Sequence, residues 1–222
     1  RSEMHVPSVS VRFGLILEAY CHGCPQHVSI LYKQVQALSK LKSLTYLVRN
    51  LMRVNNSSED KVKEEMRMVL SNPGYSEALS NFSSTLDPRF KLAKLRVEKC
   101  KFMDSKMRPL WMVWDHTDSH LVPEQPSIYT IYKDGDDLRQ DMLTLQIIGI
   151  MDQIWQSKGY DLRMTPYTVL ATGCNEGLIE TVLNAHTIAE IQNRYTNIKM
   201  KAAFNENCIY QFISDSCKGL DR

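Results

Sequence analysis

A chain of 222 residues, 43% of them hydrophobic, suffices for one large or two small domains with real cores. Its 27 basic and 25 acidic residues leave a net charge of +2, which gives no whole-chain reason to expect nucleic acid and neither requires nor excludes a membrane surface. No run approaches the roughly 18 apolar residues that span a bilayer, and RSEMHVPSVS lacks the apolar core of a signal peptide, so an intracellular chain is expected. Cysteines at positions 21, 24, 100, 174, 208 and 217 lie among apolar neighbours rather than at framework spacing, which suits a reducing cytosol. The sequons at Asn55, Asn56 and Asn81 then carry no meaning, because glycosylation needs the secretory pathway. The first residue is not methionine and the last two are Asp221 and Arg222, which leads us to expect a piece of a longer protein.

Residues 10 to 82 read as helices only. Val28, Leu31, Val35, Leu38, Leu41, Leu44, Val48 and Leu51 recur at three and four, the spacing of a long amphipathic helix that must bury its stripe. Asn55 to Ser58 breaks it, a second helix runs from Ser58 to about Ser71, and Asn72-Pro73-Gly74 ends that one before a third from Tyr75 to Phe82. Stacked helices without a closed core suggest the end of a helical-repeat domain. Cys21 and Cys24 are spaced to share a metal with His27 nearby, but a structural zinc site wants four ligands and no second pair is close. Two small buried thiols at a helix end before Pro25 are expected instead.

Ser83 to Pro88 reads as a linker, with residues 1–85 before the break and 86–222 behind it. Leu92 to Phe102 and Leu110 to Trp114 read as strands around the turn Met103 to Arg108. That turn is either an exposed hairpin or a loop that covers phosphate. Having no glycine, it could reach phosphate only through Ser105, its backbone amide and Lys106. Trp111 reads equally as ordinary core.

Ile128 to Lys133 alternates as a strand with Tyr129, Ile131 and Lys133 on one face, and Asp134-Gly135 stops it. Asp136 or Asp137 can cap the helix that follows, whose apolar stripe is Leu138, Met142, Leu145, Ile148 and Trp155. Asp141 falls within the stripe, so an inward carboxylate paired with Lys133 is expected. A strand lysine held by a helix acid is how kinases aim an ammonium at nucleotide phosphates; the plain alternative is an acid meeting water and a lysine snorkelling. Strands Thr168 to Thr172 and Leu178 to Val182 flank a loop from Gly173 to Gly177, and Asn184 is placed to cap a helix from Ala185 to about Arg194. Leu178 to Val182 read alone is a buried strand in which Glu180 could be surface.

KDGDDLRQDM is similar to the KNGDDLRQDM signature of phosphoinositide kinases, and CKFMDSKMRPLW, DLRMTPY and GLIETV resemble class I phosphoinositide 3-kinase catalytic subunits, most like the beta and delta types. SEMHVPSVSVRFGLILEAYC resembles the end of that family's helical domain, so the likeness covers nearly the whole chain. The resemblance implies an α+β fold: the end of an α-helical repeat domain, then a kinase-like N-lobe of antiparallel sheet plus helix, a hinge and the first C-lobe helices. It implies an ATP site. Lys133 would be the phosphate lysine and Asp141 its partner, Met103 and Trp111 would wall the adenine pocket with Ile179, and Ser105 with Lys106 would face the phosphates. Tyr167 would line the inner pocket near Asp141, the Glu180 carbonyl would accept from the adenine amine, and the Val182 amide would donate to a ring nitrogen. Thr168 stands where the family usually has glycine and Thr181 where it usually has valine, which bears on fine pocket shape.

After the hinge run there is no D-R-H-X-X-N and no D-F-G, so catalytic residues and the Mg2+ ligands of a phosphoryl transferase are expected beyond Arg222, with no metal site here. The expected function is the ATP-binding part of a phosphatidylinositol 3-kinase, inactive by itself, cytoplasmic and recruited to the plasma membrane. A phosphoinositide substrate and an SH2-containing regulatory subunit are the partners the resemblance implies, with no nucleic acid. The alternative is a non-catalytic helical scaffold carrying a degenerate kinase N-lobe.

Overall fold

The structure is a computed structural model and describes residues 5–54, 58–116, 127–195 and 207–217. The expected break at 55–57 and the last residues, Asp221 and Arg222, lie outside them. Two compact units result, residues 1–181 and 182–222.

Helix α1 spans Pro7–Gly23 and α2 Pro25–Val54. Proline costs nothing at a helix start, where its missing N–H would be unpaired, and so Pro25 begins α2 as α1 ends. The apolar stripe of α2 buries Ala37, Leu41, Leu44 and Val48, whereas Val28 and Val35 stay exposed, so only its second half serves the core. Helix α3, Glu59–Ser71, places Val62, Met66 and Leu70 inward at four-residue spacing and Glu59 and Asp60 at its positive end. Asn72 then caps α4, Pro73–Ala78, by accepting the Gly74 N–H at 3.1 Å. The third helix is therefore shorter than expected and starts earlier. Asn81, at φ 56°, turns the chain, and Phe82 enters a strand instead.

Among the described residues seven antiparallel strands form one sheet: β1 Phe82–Ser83, β2 Lys91–Leu95, β3 Lys101–Phe102, β4 Leu110–His116, β5 Ser127–Asp134, β6 Val169–Gly173 and β7 Glu176–Glu180. Their order is β1-β2-β4-β5-β7-β6, with β3 also on β4. The expected single strand from Leu92 to Phe102 is two strands. A 3-10 turn at Val97–Lys99 steps the chain from pairing Leu95 with Trp114 to pairing Lys101 with Trp111 on the same edge of β4. Strands β6 and β7 join through Cys174-Asn175, with Asn175 at φ 54°, a tighter hairpin than the five-residue loop expected.

One face of the sheet alternates Leu110, Met112 and Trp114 with Tyr132 and Leu178 into a core that also contains Leu44 and Val48 of α2 and Met66 and Leu70 of α3. Helices and sheet thus share one core across Ser83 to Pro88, where Ser84 is buried and its amide donates to the Phe90 carbonyl at 2.8 Å. The linker expected there is a strand end and a packed loop, and the expected border at 85/86 falls inside the first unit.

Burial pushes the Cys100 thiol up to about 12. Iodoacetamide at pH 8 should label exposed Cys174 in the native protein and spare Cys100 until unfolding, which peptide mass mapping would read. The sign for stability follows. Above its ordinary value of 9.0 the unfolded chain releases a proton that the folded chain keeps, so stability should fall as pH climbs from there toward 12.

Helix α5, Arg139–Ser157, has no fully buried residue, although Leu138 just before it is 1% exposed. Asp137 accepts the Arg139 N–H at 3.1 Å, so it supplies the expected first-turn acceptor, and its bond to the Arg139 guanidinium holds its carboxyl down at about 2. Asp136 does something else, described below. In the second unit, α6 Ile188–Arg194 is capped by Thr187, whose hydroxyl accepts the Glu190 N–H at 3.1 Å, rather than by Asn184. The Tyr195 hydroxyl donates to Asp215 of α7, Cys208–Cys217, at 2.9 Å. Among the described residues no helix is long and apolar enough to cross a membrane.

Candidate functional site

Directly paired residues on neighbouring strands point to the same face. Register pairs Trp111 with Ile131 and Ile131 with Ile179, which lays one apolar row across β4, β5 and β7 on the face opposite α2 and α3. All three are half-buried. Tyr129, two residues along β5, meets Trp111 edge-on at 6.1 Å, and the Lys101 ammonium sits 5.2 Å from the Trp111 ring centre. Two residues the other way along β5, on the same face, is Lys133.

Lys133 does not pair with Asp141. Its ammonium lies 3.3 Å from the Asp136 carboxylate. Gly135 is the cause: its φ of 103° folds the strand end back so that Asp136 returns beside the lysine, a conformation glycine adopts freely. Asp141 is exposed, contrary to the inward carboxylate expected, because α5 turns it outward to an open groove that it shares with Leu145, Ile148 and Tyr167. Asp141 and Tyr167 are therefore neighbours.

The turn after β3 is held by its own backbone. The Met103 amide donates to Pro109 at 2.8 Å, the Ser105 amide to Met103 at 3.0 Å and the Arg108 amide to Ser105 at 3.1 Å, with Arg108 at φ 49°. The Ser105 amide, expected to be a phosphate donor, is thus engaged, and the Ser105 hydroxyl and the Lys106 ammonium are the exposed donors of the loop. Met103 is 37% exposed at its start.

Glu180 closes β7. Its amide donates to the Thr168 carbonyl at 2.8 Å, and antiparallel pairing would return the Thr168 N–H to the Glu180 carbonyl. That N–H goes instead to the Glu180 carboxylate, at 2.8 Å, which frees the backbone acceptor from this bond. The Thr181 amide donates to Tyr129 at 3.3 Å. Val182 opens the second unit and is 47% exposed. Thr168 and Thr181 line a cavity of about 150 Å³ together with Tyr129, Glu180 and Thr130 of the core face, so the two departures from the family pattern meet beside Glu180.

Cys21 and Cys24 are half-buried rather than buried, because α1 packs only lightly on α2, and the His27 ring bonds the Tyr20 hydroxyl. Among the described residues no group of three or more His, Cys, Asp or Glu could hold a metal ion. Lys101 and Tyr129 were missed as site neighbours. Strand alternation with the β3–β4 and β4–β5 registers would find both, but neither register is written in the sequence.

Residues 127–219 match the sequence model of the family described as phosphatidylinositol 3- and 4-kinase. The run KDGDDLRQDM lies inside that segment. The sheet with α5 is the α+β arrangement expected for a kinase-like N-lobe with helices. Over 191 residues, 86% of its length, the chain is 41% identical to phosphatidylinositol 3-kinase 2 of Dictyostelium discoideum, of which that covers 10%. It is 39% identical over 192 residues to phosphatidylinositol 3-kinase 1 of the same organism, again 86% of the chain and 11% of the relative. The chain thus spans about a tenth of the length of the curated relatives it matches. The likeness to these phosphatidylinositol 3-kinases reaches back through the row and the loop into the helices.

Proposed function

We propose that this chain is the ATP-binding part of a class I phosphatidylinositol 3-kinase catalytic subunit of beta or delta type. The full-length protein would pass the γ-phosphate of ATP to the 3-hydroxyl of a phosphoinositide. The hydroxyl oxygen then bonds to the γ-phosphorus as the bond from phosphorus to the β,γ-bridging oxygen breaks, ADP leaves with that oxygen, and the hydroxyl proton passes to a base that the catalytic loop would supply. The observation that carries this reading is the half-buried Trp111–Ile131–Ile179 row with Lys133 on the same face, two residues along β5 from its middle. An apolar wall suits a flat heteroaromatic base, and a cation beside it suits phosphate.

In this reading Trp111, Ile179 and Met103 contact adenine, the Glu180 carbonyl accepts from its amine and the Val182 amide donates to its ring. Lys133, with the Ser105 hydroxyl and Lys106, offsets phosphate charge, while Asp141 and Tyr167 line the inner end. Magnesium ions would supply further charge neutralisation. Among the described residues there is no ligand set for them. The sequence has neither D-R-H-X-X-N nor D-F-G, and the 222 residues alone are proposed to bind nucleotide without transferring phosphate. An SH2-containing regulatory subunit and recruitment from cytoplasm to plasma membrane belong to the same proposal.

The test uses the full-length protein with phosphoinositide vesicles, Mg2+ and γ-labelled ATP. Labelled lipid carrying phosphate on the 3-hydroxyl is the expected product. ATP binding without any labelled lipid would favour a non-catalytic helical scaffold with a degenerate lobe. No ATP binding would remove the nucleotide reading of the row and leave the scaffold.

A further inference from the structure

Helix α2 contributes no residue to the row, yet one side of it reaches three turns at the Lys133 end of the sheet. Lys42 and Arg49 are seven residues apart, two helical turns, and so project from the same side about 10 Å apart. Arg49 donates from Nε and Nη2 to the Met107 carbonyl at 3.1 and 2.8 Å. Its Nη2 also donates to the Asp134 carbonyl, and its Nη1 lies 3.9 Å from the Asp134 carboxylate. One guanidinium therefore ties the loop after β3 to the turn after β5.

The two turns touch as well. A Cβ on Gly135 would stand 1.8 Å from the Met107 methyl, so the side chain of Met107 fills the space that glycine leaves. Lys42 adds the third turn: its ammonium is 2.8 Å from the Glu176 carboxylate, which also accepts the Tyr132 hydroxyl at 3.2 Å. The Gly135 amide donates to Asn175 at 2.6 Å and links the β6–β7 hairpin to the β5 turn.

We infer that Arg49 is a positioning residue, the latch by which helix α2 sets the distance between the Ser105–Lys106 loop and Lys133. This rests on the nucleotide reading of the site. Two backbone carbonyls that belong to different loops need a planar fork with several donors, which arginine supplies and lysine, a point charge, does not. Freed from Arg49, the loop loses its registration against Asp134 and its internal turn bonds open more often. Contacts to adenine change little, because they are made on the row and by Met103, which stays bonded to Pro109 at the base of the loop.

The experiment compares the full chain with Arg49→Met, which keeps the stem and removes the fork, and Arg49→Lys, which keeps the charge. Hydrogen exchange of the Ser105 and Arg108 amides is read without nucleotide, and affinities are read for ATP and for adenosine. In Arg49→Met we expect exchange to quicken and ATP affinity to drop about tenfold, as for loss of one charged hydrogen bond, with adenosine affinity within about twofold of wild type. Arg49→Lys should fall between. Unchanged exchange overturns the latch, and so does an equal loss for ATP and adenosine, because a merely structural arginine would weaken both. Should Arg49→Met fail to fold, Arg49→Lys decides by the same readouts. A wild type that binds neither ligand removes the nucleotide reading, while quickened exchange in the variants still supports the latch.

Discussion

Lys133→Ala in the full-length protein is expected to lower phosphoinositide phosphorylation by about 10²–10³-fold, the usual cost of removing one preorganised donor from developing transition-state charge. Stability should hardly change. Lys133 is 31% and Asp136 42% exposed, and an ion pair that wet contributes less than about 1 kcal/mol. Asp136→Asn gives a contrast. It leaves Lys133 in place without its neighbour, so the variant should retain most turnover if the ammonium itself is what meets phosphate. Initial rates with labelled ATP and a urea melt on each variant would read both effects. Wild-type turnover in Lys133→Ala would end the assignment of that lysine.

Trp114→Ala should cost about 3–5 kcal/mol, the range for deleting a large buried aromatic side chain. Trp114 is 2% exposed, meets Phe82 edge-on at 6.2 Å and donates its indole N–H to the Leu79 carbonyl at 2.7 Å. Its loss opens a void between the sheet and the end of α4 and orphans a buried carbonyl. Trp114→Phe keeps much of the ring and loses only the donor, so about 1–2 kcal/mol is expected there. Chemical denaturation of the three proteins separates packing from hydrogen bonding. A loss below about 1 kcal/mol in the alanine variant would mean that helices and sheet do not share one core at this residue.

The local order of the chain was legible because its signals are local. Helix periodicity from Leu41 to Val48, the proline and glycine punctuation at Pro25, Pro73 and Gly135, and the alternation of Ile128 to Lys133 depend on neighbours within a few residues, and the elements appear where those signals lie. The family resemblance, too, was written in a contiguous run, KDGDDLRQDM, which falls inside the segment that matches the family model. Tertiary structure decided the rest. Lys133 takes Asp136 rather than Asp141 because a glycine turn brings the nearer acid back, and spacing along a helix cannot register that reversal. The Ser105 amide is spent inside its own turn, and the Thr168 amide goes to a side chain instead of a carbonyl; both are choices among competing acceptors made only once loops have closed. Arg49 and Met107 are 58 residues apart in sequence, and only the packing of α2 on the sheet makes them neighbours. Periodicity says which face of a helix is buried, whereas the partners at the edge of that face are set by how the whole sheet twists against it.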